Sequence, residues 1–119
     1  MKTRRSRRAL ERAIEEARTV EECAVAHYDL AVFHDNNSRE AEAIPHYERA
    51  LGLGLDHMTK THALAWLASS LYKTGKLGEA GARADEALLL AQDQQLMAFL
   101  LGLRRRIMSR MSPSGDRVG

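Results

Sequence analysis

Apolar residues recur along this chain three and four positions apart, and nowhere alternate with polar ones as a half-buried strand requires. Leu10, Ala13, Ile14 and Ala17 form a one-faced stripe that predicts a helix stopping near Arg18. Thr19-Val20-Glu21-Glu22 has the Thr-x-x-Glu form of a capping box, so a second helix is expected from about Val20 to Asp35. A single helix running through Thr19 is the alternative. Asn36-Asn37-Ser38 predicts a turn, with Asn37 and Glu40 as a candidate second box. The next helix sets Ala43, Ile44, Tyr47, Ala50 and Leu51 on one face, with Gly52 as its left-handed cap. Pro45 falls inside it and removes one backbone hydrogen bond, which predicts a kink. The stripe keeps its phase on both sides, so no break is expected.

Beyond Gly54-Leu55-Asp56, the positions of Leu64, Leu67, Ala68 and Leu71 mark a further helix, ended by Gly75. Leu77, Ala80, Ala84, Ala87 and Leu88 mark another. A last helix, about Gln94 to Met111, carries Ala98, Leu101 and Gly102 as its stripe and leaves Phe99, Leu100 and Leu103 off it. Its end bears Arg104, Arg105 and Arg106, cations that a helix C-terminus favours. Ser112 to Gly119 holds Pro, Ser, Gly and charge, and is read as a disordered tail. The fold class is all-α, with about six helices.

Composition sharpens this picture. Hydrophobic residues make up 45% of the chain but aromatic ones only 5%, so alanine and leucine supply the core. Both favour helix, and alanine lets helix backbones approach closely. At 119 residues the length fits one domain. Cys23 is the only cysteine, which excludes an internal disulfide and a cysteine-based zinc site and fits a reducing cytosol. The basic start, Met1 to Arg8, is not followed by the apolar core of a signal peptide. The run from Leu96 to Leu103 is far short of the ~20 residues a membrane span needs. A cytoplasmic protein that engages no membrane is expected.

The net charge of +2 conceals a segregated pattern: +5 over residues 1–12, −7 over 13–103 and +4 over 104–119. An acidic body with basic ends raises nucleic-acid binding as an alternative function. Arg4, Arg5, Arg7, Arg8 and Arg12 have no aromatic residue beside them to stack bases, and no helix-turn-helix signature surrounds them. Glu11, Glu15 and Glu16 stand three or four positions from these arginines, the spacing of an ion-paired solvated helix, so nucleic acid is an unlikely partner.

Other chemistry was sought in the histidines and the cysteine. His27 and His34 share a helical face but lie two turns apart, about 10 Å, too far for one ion. His57 and His62 point in different directions, and no His-Glu-x-x-His spacing occurs, so no metal and no cofactor are expected. Cys23 and His27, four apart, could form a nucleophile pair, but no orienting residue or oxyanion donor can be named; a Cys–His hydrolase is the weakest alternative.

Two helix pairs recur with matching landmarks. Leu30-Ala31 corresponds to Leu67-Ala68, and Ala43, Tyr47 and Ala50 to Ala80, Ala84 and Ala87, all at an offset of 37. The chain here resembles the tetratricopeptide-repeat family, whose 34-residue unit is a helix–turn–helix. In that family small residues sit where paired helices cross. Leu101-Gly102 looks like the start of a third unit, 34 residues after Leu67-Ala68. The run Glu42-Ala43-Ile44-Pro45, Tyr47, Ala50-Leu51 and Leu53-Gly54-Leu55 is similar to one bacterial subgroup of these repeats. An antiparallel bundle with alanine-rich crossings is the alternative architecture.

The resemblance implies an α-solenoid of antiparallel helix pairs. Residues 1–19 form a basic N-terminal helix, 20–57 a first pair, 58–92 a second, 93–111 a capping helix and 112–119 the tail. It also implies a non-enzymatic protein–protein interaction module, whose first helices line a concave groove. Tyr28, Val32 and Asp35 are expected to face that groove in the first unit, and His62, Ala65, Ser69 and Tyr72 in the second. Phe99, Leu103 and Arg106 follow in the third. Ordinary half-buried helix positions are the alternative for all ten. Some family members grip a carboxylate with groove lysine and asparagine; Tyr28, Val32, Ala65 and Ser69 stand there instead, so that clamp is not expected. With only two full units, open ends could also meet in a homodimer.

Overall fold

The computed structural model describes residues 5–112. Its elements are α1 (Arg7–Glu16), α2 (Val20–Asn36), α3 (Glu40–Leu53), α4 (His57–Lys73), α5 (Leu77–Leu90) and α6 (Gln94–Met111). No strand occurs among the described residues. Met1–Arg4, and the expected tail beyond Ser112, lie outside them.

Local chemistry sets most boundaries. Thr19 Oγ1 accepts from the Glu22 amide at 3.0 Å, and the Glu22 carboxylate accepts from the Arg18 amide at 2.7 Å, so α1 and α2 are separate helices. The box reaches one residue further back than its usual form. Asp56 and Asp93 cap α4 and α6 by accepting from the Thr59 and Leu96 amides. The second box does not form: Arg39 is the N-cap of α3, without a side-chain bond, and Asn37 donates back to Phe33 O at 2.7 Å. The cap of α3 is Gly54, at φ +107°, not Gly52, which stays helical. Pro45 lies inside an unbroken α3 with its ring exposed.

The 37-residue repeat extends into the turns. Arg39 N donates to His34 O and Lys76 N to Leu71 O, both at 2.8 Å. Ser38 and Gly75 occupy the matching left-handed positions, at φ +59° and +84°. Both turns close α2 and α4 in the same way.

Consecutive helices pack together along the whole chain, and α2 also meets α4 as α4 meets α6. The outer helices α3 and α5 do not approach each other. First helices therefore touch along an inner row, while α3 and α5 stand apart across a cleft lined by Glu48, Glu79, Arg83 and Glu86, in an elongated body 56 × 30 × 27 Å. Leu30, Ala31, Ala43, Tyr47, Ala50, Leu67, Ala68, Ala80, Ala84 and Ala87 are all buried. All but Leu30 and Ala50 share one core with Leu71, Leu100, Leu103 and Ile107, built from small side chains at the crossings and leucines between them.

The expectation for α6 needs correcting. Its inward stripe is Leu96, Leu100, Leu103 and Ile107, all buried, whereas Leu101 is 49% exposed and Ala98 lies in solvent. A Cβ on Gly102 would meet nothing within 4 Å, so Gly102 is at no helix crossing among the described residues. The capped starts of α4 and α6, at Asp56 and Asp93, are 37 residues apart, so the 34-residue spacing that set Leu101-Gly102 against Leu67-Ala68 does not hold: Leu67 is buried and Leu101 is not. Among the described residues no helix covers the side of α6 that bears Met97, Leu101 and Met108, while α6 packs on α5 and α4.

At the other end, α1 lays Leu10 against α2, with Ala13, Ile14 and Ala17 half-buried beside it. Arg5 pairs with Asp29 at 2.7 Å and Arg7 with Glu42 at 3.7 Å. Its remaining face is charged. The N-terminal end is therefore closed by a polar surface.

Candidate functional site

The inner row of α2, α4 and α6 presents one aromatic side chain from each helix: Tyr28, Trp66 and Phe99, all half-buried. Trp66 and Phe99 form a T-shaped contact with centroids 5.4 Å apart, and the His62 ring lies 5.8 Å from Trp66, tilted against it. The Trp66 indole N–H favours the ionised Tyr28 phenol, but burial dominates and pushes that phenol up.

Behind this row lies a recess of about 280 Å³, lined chiefly by Val32, Asp35, Trp66, Ser69, Lys73 and Phe99. Tyr47, from the outer row, donates its hydroxyl to Asp35 Oδ2 at 3.0 Å across the floor. Burial pushes the Asp35 carboxyl up, and the opposing pull of Tyr47 and Lys73 does not cancel it. The buried Ser70 hydroxyl lies outside hydrogen-bonding geometry with any described residue, yet near enough to Asp35 to favour its charged form. The Lys73 ammonium stands 3.8 Å from Glu40. A second shallow cleft continues past Tyr28 and Val32 to Arg5 and Asn36.

Val32, Asp35, Ser69 and Phe99 thus share one recess, with Tyr28 adjoining it. Tyr72 is half-buried near the C-terminal end of α4, where the Arg110 guanidinium sits 5.2 Å over its ring. Arg106 is exposed on α6. Ala65 and Leu103 do not line the groove: they are 0% and 1% exposed and belong to the core. Leu103 is on the inward stripe of α6, as described above. Ala65 is covered because α4 has neighbours on both sides, which turns His62, Trp66, Ser69 and Lys73 outward instead.

That line, spaced by four, three and four, is itself a helical stripe. Trp66 is the residue the sequence reading missed. Its signal was present: it is the only tryptophan in the chain and falls four residues after His62.

The histidines also converge in a way their spacing along α2 did not reveal. His46, on α3, stacks with His27 and with His34, at centroid distances of 5.2 and 5.9 Å, and so fills the gap between them. His27 Nδ1 and His46 Nδ1 lie 3.0 Å apart, so one ring donates and the other accepts. Burial lowers the pKa of all three. Among the described residues no group of three His, Cys, Asp or Glu is arranged to hold a metal ion. Cys23 is half-buried one turn from His27, whose Nδ1 is engaged with His46. Arg5 and Arg7, from the basic start, are paired with carboxylates of this chain. Among the described residues no helix is long and apolar enough to cross a membrane.

No curated protein and no solved structure matches the chain. A family model described as a tetratrico peptide repeat matches residues 24–109, which takes in α2 from its second turn, α3 to α5, and nearly all of α6. Paired helices, small side chains at their crossings and this match agree: the chain belongs to the tetratricopeptide-repeat family.

Proposed function

We propose that this protein holds a segment of another polypeptide in the groove of α2, α4 and α6, with no covalent step, and that it does so in the cytoplasm. The observation that carries this reading is the row Tyr28–Trp66–Phe99, one aromatic from each inner helix, beside a recess with polar groups at its floor. Aromatic side chains offer large apolar area at low entropic cost, and Tyr and Trp add a hydrogen-bonding edge, the composition of interface anchors. Tyr72 and Arg106 extend the same surface towards the C-terminal end of α6.

A partner captured on the immobilised protein is expected to be lost on Trp66→Ala or Tyr28→Ala and kept on Arg12→Ala. Retention by both aromatic variants would overturn the groove reading.

Self-association is the second reading. Met97, Leu101 and Met108 are exposed along one side of α6, where a following helix would pack, and a homodimer would cover them. Sedimentation at tens of micromolar is expected to show a dimer that Leu101→Glu dissociates. A monomer throughout would dismiss it.

A further inference from the structure

We infer that the recess beneath Trp66 takes a positively charged side chain of the bound segment, arginine or lysine, with Asp35 as its counter-ion and the indole as its wall. This rests on the groove reading above and names the chemistry of the partner at one position.

The first ground is an uncompensated carboxylate. Among the described residues Asp35 receives one side-chain hydrogen bond, from Tyr47 to Oδ2, and Oδ1 receives none. Lys73 lines the same recess but directs its ammonium to Glu40, 3.8 Å away, and forms no ion pair with Asp35. Burial, with Glu40 adding to it, still holds the Asp35 carboxyl above its ordinary range in spite of Tyr47, Lys73 and the nearby Ser70 hydroxyl. A half-buried acid in that state gains from any cation that reaches it.

The second ground is the wall. Trp66 is half-buried and lines the recess beside Asp35, with Phe99 set edge-on against it. An indole face is the best aromatic surface for a cation, and a guanidinium can stack on it while its N–H edge meets a carboxylate. The fold already makes one such contact at the end of the same row, where Arg110 covers Tyr72.

Other occupants fit worse. A carboxylate would face Asp35 directly. A purely apolar side chain would complete the burial of Asp35 without supplying a partner, at a cost in binding.

Because Trp66 is the only tryptophan, its fluorescence reports occupancy of the recess. The probes are blocked glycine pentapeptides that differ only at the central residue: arginine, lysine, leucine or glutamate. The arginine peptide is expected to change Trp66 emission saturably, with affinity at least about tenfold above the glutamate peptide.

Asp35→Asn keeps an acceptor for Tyr47 but removes the charge; it is expected to weaken the arginine peptide about fivefold or more and leave the leucine peptide unchanged. Lys73→Ala removes the competing cation and is expected to tighten the arginine peptide. Leucine or glutamate binding as well as arginine, or an unchanged arginine affinity in Asp35→Asn, would overturn the charge assignment and leave the groove standing. A saturable response from none of the four would overturn the recess as a binding site. The groove is judged separately, by whether Tyr28→Ala releases a captured partner.

Discussion

The hydroxyl of Tyr47 donates to Oδ2 of Asp35 across 3.0 Å, joining the outer helix of the first pair to the groove-lining end of its inner helix. Tyr47 is fully buried at the position where the second repeat has Ala84. The larger side chain therefore fills core volume and also fixes the carboxylate at the floor of the recess.

Tyr47→Phe retains the ring and deletes the bond. The half-buried carboxylate then loses its one side-chain donor, and a loss of about 1–2 kcal/mol is expected in urea unfolding. The Asp35 pKa, already raised by burial, is expected to rise further when followed by NMR. Unchanged stability would mean that water replaces the phenol without cost.

The stacked histidines are expected to make stability fall in acid. His27, His34 and His46 have pKa values below the ordinary 6.5, with burial as the first cause in each case. The unfolded chain therefore takes up protons more readily than the folded one. Stability is full above the ordinary histidine range and is lost as pH falls through it.

The groups facing the stack include Arg7 and Glu11 from α1, and Arg39, Glu42 and Arg49 from α3. Arg49 disfavours a charge on His27, Arg7 and Arg39 disfavour one on His34, and the two glutamates pull the other way without restoring the ordinary value. Between about pH 7.5 and 5.5 the melting temperature is expected to drop by roughly 5 °C. His46→Phe, which removes the middle ring's charge, is expected to flatten that slope. The same slope in both proteins would place the acid sensitivity elsewhere.

Ser38 holds a left-handed conformation that glycine adopts at the matching Gly75. Ser38→Gly is expected to stabilise the protein by about 0.5–1 kcal/mol, and Gly75→Ala to destabilise it by about 1 kcal/mol, both read by thermal melting. Equal effects in the same direction would contradict the equivalence of the two turns.

The two leucines flanking Gly102 separate the core from the open face of α6. Leu103→Ala removes a buried side chain and is expected to cost about 2–4 kcal/mol, whereas Leu101→Ala is expected to cost under about 0.5 kcal/mol. The reverse order would restore the stripe first read from the sequence.

The paired helices were legible because periodicity, caps and the 37-residue offset are local signals that do not depend on neighbours. Thr19 caps α2 and the alanines at 31, 43, 68 and 80 are buried as read, while Glu22 reaches back to the Arg18 amide. What failed depended on which neighbours a helix has. Helical spacing sets Ala65 beside the groove, but α4 packs against α2, α3, α5 and α6 and buries it. A spacing of 34 from Leu67-Ala68 points Leu101 inward, but α6 starts 37 residues after α4 and buries Leu103 instead. The histidine stack was missed because His27 and His34 were compared only with each other, while the ring that links them comes from α3.

The most direct test of the binding groove sets a photo-crosslinking amino acid at Ser69, in the recess, and at Glu48, in the separate cleft beside Glu79, Arg83 and Glu86 of α5, in the cell of origin. A discrete adduct with another polypeptide is expected from position 69, abolished by Trp66→Ala, with none from position 48. Adducts from position 48 alone, or equal adducts from both, would contradict the account.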